Sequence, residues 1–135
     1  MPDDAPSPHL FSPSATGLAV LLGAAGGTHF ARPRVYEPLI PRSLGNPHAW
    51  VLASGVAELA CAAALAFPRT RRAGGLASAA LFVAVFPGNV QMALDARPFA
   101  ANRRRAAITW ARLPLQAPLI AWALAVANGS VRTLR

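Results

Sequence analysis

The chain has 135 residues, enough for one domain, and is 54% hydrophobic and 13% charged, with a mean hydropathy of +0.37. A soluble domain carries about 25% charged residues, so soluble enzyme classes are set aside and a polytopic membrane protein fits. The net charge of +8 comes from thirteen arginines and no lysine. They gather at the ends of apolar runs, where headgroups accept them, which argues against nucleic-acid binding.

Residues 1–14, MPDDAPSPHLFSPS, are acidic and rich in proline. A secretory signal needs a positively charged start, so this stretch reads as an irregular tail before a retained first helix. Four apolar segments then approach the roughly 20 residues that cross a bilayer: 15–31, 49–67, 73–94 and 106–128. Pro33, Pro68, Pro98 and Gly129 end them in turn. The alternating polarity of barrel strands is absent. The expected fold is all-α: a single four-helix transmembrane domain over 15–128, a longer proline-rich loop between helices 1 and 2, and a basic C-terminal tail at 129–135.

Helix 1 is short for a span. Gly23 and Gly27 stand at GxxxG spacing with Gly26 beside them, which favours close helix approach. His29 near its end reads as a hydrogen-bonding or protonatable group beside the loop. The loop RPRVYEPLIPRSLGNPH (32–48) is long enough for Pro38, Leu39, Ile40 and Pro41 to fold back into the membrane interface.

Helix 2 carries Glu58 in SGVAELACAAA, with Ser54 one turn earlier on the same face. A lone carboxylate in hydrocarbon costs about 2.5–3.5 kcal/mol even on the lenient insertion scale. It must be protonated, paired or turned to a polar cavity. His29 and Glu58 supply only two metal ligands, and no HxxxH spacing exists, so no metal is expected. The single cysteine, Cys61, rules out an internal disulfide or a CxxC pair and reads as a small buried residue.

After the basic turn PRTRR (68–72), helix 3 contains FPGNVQMALD, in which Pro87 removes a backbone donor and frees a carbonyl. Asn89 supplies an amide able to answer it. The connection DARPFAANRRR (95–105) follows, and helix 4 opens with TWARLPLQAP. There Arg112 and Gln116 share a face, Pro114 and Pro118 loosen the helix, and Trp110 and Trp122 read as interface anchors. Arg112 either snorkels to the headgroups or meets the one acid of the apolar segments, giving an expected Glu58–Arg112 pair. The arginine balance between the two ends, five against seven, leaves orientation open. The candidate ligand-binding residues are thus His29, Glu58, Asn89, Arg112 and Gln116, lining a polar intramembrane pocket.

The stretches HFARPRVYEPLIPRSLG, SGVAELACAAAL, PRTRRAGG, FPGNVQMAL and WARLPLQAPLIAWAL, in this order over residues 28–124, resemble the DoxX-like family of small bacterial four-helix membrane proteins. That family is named for a subunit of a thiosulfate:quinone oxidoreductase. Its recurrent polar positions would fall on His29, Pro38, Pro41, Glu58, Asn89, Arg112 and Gln116. The resemblance implies an accessory subunit of a redox or cell-envelope complex in the bacterial plasma membrane, with quinone or another lipid-soluble ligand. The chain has no redox centre of its own, so no autonomous enzyme is expected. The alternative is a small proton-coupled transporter or lipid-handling protein using Glu58. A third reading makes the polar residues packing elements only. Expected partners are membrane lipids and either a larger membrane complex or further copies of the chain.

Overall fold

The computed structural model describes residues 12–95 and 103–129. Expectations resting on Arg97, Pro98 and most of the two tails fall outside them. The described residues contain no strand and form five α-helices: α1 (Pro13–Ala31), the one-turn α2 (Pro33–Tyr36), α3 (Pro47–Ala66), α4 (Arg71–Asp95) and α5 (Arg103–Ala127). Two 3-10 turns, Glu37–Leu39 and Arg42–Leu44, complete the link from α2 to α3.

The helix ends follow from local chemistry. Ser12 caps α1 by accepting from the Ala15 amide at 3.3 Å, and Pro13 fills a first-turn position that needs no N–H. Asn46 and Pro47 repeat the device at α3. The chain reaches Asn46 through Gly45, whose φ of 82° suits glycine. Phe67 is extended ahead of Pro68 and stops α3.

By length and composition α3, α4 and the Ala106–Ala127 part of α5 can cross a membrane. α1 does not join them, because four glycines, Thr16, Thr28 and His29 dilute its apolar character. Three such helices therefore stand where four were expected.

α1 packs along α3, α3 against α4, and α4 along α5, with a lighter contact of α5 back to α1. The shared core holds Leu18 and Leu22 of α1, Cys61 and Leu65 of α3, Ala79 and Phe82 of α4, and Ala123 and Val126 of α5. Only 22–28% of each spanning window is buried within the chain. Val20, Val56, Val83 and Leu115 are among the large apolar side chains left outside. In water such a surface would drive aggregation, whereas acyl chains solvate it without cost.

Two glycine contacts set the helix spacing. A Cβ on Gly26 would stand 2.9 Å from the Gly55 carbonyl oxygen, and one on Gly55 would meet His29 Cβ at 2.9 Å. α1 and α3 thus cross backbone to backbone. On α4, Gly74 lies against Ala64 and Leu65 of α3, and Gly75 against Ala123 and Ala127 of α5. The GxxxG pair does less than expected. A Cβ at Gly23 would meet only Ala62 Cβ at 3.9 Å, and at Gly27 nothing within 4 Å. Trp122 also differs from its expected role. Its Nε1 donates to Ser14 Oγ at 2.7 Å, tying α5 to the start of α1.

Candidate functional site

The Gly26–Gly55 crossing brings His29 of α1 beside Glu58 in the middle of α3. His29 Nδ1 lies 2.8 Å from the Ala25 carbonyl oxygen and 3.0 Å from Glu58 Oε2. A carbonyl oxygen only accepts, so Nδ1 carries the hydrogen and donates to Ala25. One N–H cannot point at both acceptors. Glu58 Oε2 is consequently buried and without a hydrogen bond, in apolar surroundings where such a group is costly. The two side chains keep 12% and 14% of their surface exposed, so the pair is not sealed.

The loop after α1 closes over this pair. The Tyr36 ring stacks on the His29 imidazole, with centroids 4.1 Å apart and planes 25° apart. Tyr36 Oη and Thr28 Oγ1 share a hydrogen bond of 2.7 Å, and Thr28 Oγ1 also reaches the Ala25 carbonyl. Farther along, Glu37 Oε1 holds His48 Nδ1 at 2.8 Å, and Trp50 Nε1 donates to the Leu44 carbonyl at 2.8 Å. The Leu39 carbonyl lies over Gly88 of α4, so the loop spans from α3 to α4.

A second polar group joins α4 to α5. Gln116 is buried at 5% exposure. Its Nε2 donates to the Phe82 carbonyl, in the turn before Pro87, and its Oε1 accepts from Asn89 Nδ2 at 3.1 Å. The carbonyl that Pro87 deprives of its helical donor is that of Val83, so this bond ties α5 to the neighbouring residue of α4. Asn89, expected to answer the freed carbonyl, instead bonds to Gln116.

The expected Glu58–Arg112 pair does not form. Glu58 meets His29, while Arg112 is exposed and has no ion pair among the described residues. The physical reason is the glycine crossing, which commits the Glu58 face of α3 to α1. Of the five candidates, the structure brings His29 together with Glu58 and Asn89 together with Gln116, and leaves Arg112 apart. Thr28, Tyr36, Gly26 and Gly55 were not anticipated at the site. Tyr36 carried one signal, as the lone tyrosine in the loop just after His29. The glycine contact carried none, since sequence spacing does not say which helices are neighbours. No group of three or more His, Cys, Asp or Glu gathers among the described residues.

A family model described as "Domain of unknown function (DUF8561)" matches residues 18–127. No curated protein and no solved structure matches the chain. The DoxX-like resemblance is thereby corrected, since the family that matches is a different one. Prolines at helix ends, small residues at crossings and isolated polar groups in alanine-rich spans are demands of membrane helices generally. They recur without common ancestry.

Proposed function

The chain belongs to the family described as a domain of unknown function, DUF8561, and from its own residues we propose that it is a multi-pass protein of the bacterial plasma membrane that binds a lipid-soluble ligand at Glu58. The observation that carries this reading is the Glu58 carboxyl, placed mid-helix with a buried oxygen that no protein group satisfies. Intramembrane acids are expensive, and those that persist mark ligand or ion sites or proton paths. A carboxylate accepts hydrogen bonds, so the ligand's polar end is a donor and its remainder is apolar. His29 flanks the carboxyl on one side at 3.0 Å, and the Tyr36 ring stacks on the imidazole. Asn89 and Gln116 are assigned to holding α4 and α5 together.

A place in a larger membrane complex is one form of this proposal. Proton-coupled transport is the second reading, favoured by the carboxyl–imidazole pairing at 3.0 Å. The test is purification in mild detergent followed by native mass spectrometry of retained small molecules and proteins. Wild type should retain a lipid-soluble molecule that Glu58→Gln loses. An identical set of retained molecules from both proteins would sink the proposal. In liposomes, pH-driven uptake lost in Glu58→Gln would select the transport reading over the subunit reading.

A further inference from the structure

The charge arrangement around Glu58 specifies its ligand further, on the proposed reading of Glu58 as a binding group. Arginine, the permanent countercharge the sequence offers, is absent from the site, because Arg112 is exposed and unpaired among the described residues. His29 is the titratable group that α1 presents, and its Nδ1–H is committed to Ala25. α2 brings Tyr36, whose hydroxyl goes to Thr28, and Arg34, while the next turn brings Glu37, paired with His48; the ion pair of Glu58 is with His29 and not with an arginine. α4 carries no titratable residue between Arg72 and Asp95. Within α5, Arg112 is the one titratable group of residues 106–127. On α3 itself the nearest such residue is Cys61, buried in the core. An ionised Glu58 therefore lacks a fixed positive partner.

Phe30, Val56 and Leu59 stand exposed on the same two helices, open to a molecule dissolved in the bilayer. A neutral hydroxyl would satisfy the carboxyl's hydrogen-bonding capacity without neutralising its charge. A protonated amine on an apolar body does both, since its N–H donates to the carboxyl oxygen and its charge neutralises it.

We propose that Glu58 binds lipophilic cations in exchange for its proton. The step is Glu58–COOH plus a membrane-dissolved cation giving the Glu58–COO⁻·cation pair and a proton released to water. Charge and atoms balance, and no co-reactant is needed. His29 stands beside the carboxyl with Nδ1 3.0 Å from Oε2, and the Tyr36 ring stacks on its imidazole.

Equilibrium dialysis of the full chain in detergent against octylammonium, with proton release followed by a pH dye in weak buffer, tests the proposal. Wild type should bind the cation and release one proton for each bound. Glu58→Gln, matched in shape, should weaken binding by roughly tenfold or more and abolish proton release. Glu58→Asp should keep both at reduced affinity. Thermal unfolding of each variant establishes that it is folded. Cation binding that survives in Glu58→Gln, or that releases no proton, would overturn the inference. If no cation binds, but wild type retains a neutral hydroxylated lipid that Glu58→Gln loses, the cation is wrong and the Glu58 binding site stands. Loss of neither would remove both.

Discussion

Two polar groups lie inside this apolar molecule, and they are finished differently. At α4 and α5, the buried Gln116 amide gives its N–H to Phe82 and takes one from Asn89, so both ends of the side chain are used. At α1 and α3, the His29 N–H goes to Ala25 and leaves the neighbouring carboxyl oxygen without a donor. A closed network rigidifies, whereas an open one carries a cost that packing alone does not explain. The contrast distinguishes a clamp from a site within one small protein.

The steepest test of the frame around both groups is Gly75→Leu. A Cβ there would meet Ala123 O and Ala127 N at 2.8 Å, both backbone atoms that cannot swing away. Overpacking costs about 1–3 kcal/mol. The upper end is expected here, read as a lowered unfolding midpoint in detergent. Gln116→Leu comes next. It strips Phe82 of a donor and leaves the Asn89 amide idle, for a loss of about 1–3 kcal/mol in the same assay.

Trp122→Phe keeps the ring against Gly17 and removes the bond to Ser14. A loss near 0.6 kcal/mol, the average for hydrogen bonds between membrane helices, is expected from denaturant titration. Glu58→Gln closes the series, with stability equal to wild type, because the amide keeps the volume and the neutrality of the protonated carboxyl. If Glu58→Gln unfolded as readily as Gln116→Leu, the two groups would both be clamps and the contrast would collapse.

The helices themselves were legible in the sequence. Pro33 and Pro68 stop α1 and α3 where expected, and each long helix begins and ends within a turn of its apolar segment. Such boundaries depend on local chemistry, which the chain displays residue by residue. The polar residues were legible too, because any polar group in an apolar run is conspicuous. Their pairing was not. Arg112 and Glu58 looked complementary as charges, yet which faces meet depends on where backbones approach closely. That depends on Gly26 and Gly55, ordinary among this chain's ten glycines until α1 and α3 are placed together. Gln116 shows the same limit, since Phe82 lies 34 residues away and no spacing rule links them.

The bond between Trp122 and Ser14 joins residues 108 apart in the chain. A ribosome feeding this protein into a bilayer delivers Ser14 long before Trp122 exists. During that interval α1 and α3 have only each other, through the Gly26–Gly55 crossing and the packing of Leu18 and Leu22 beside Cys61 and Leu65. The polar pair is therefore assembled in the first half of synthesis, and α5 arrives last to fasten a structure whose most expensive group is already housed.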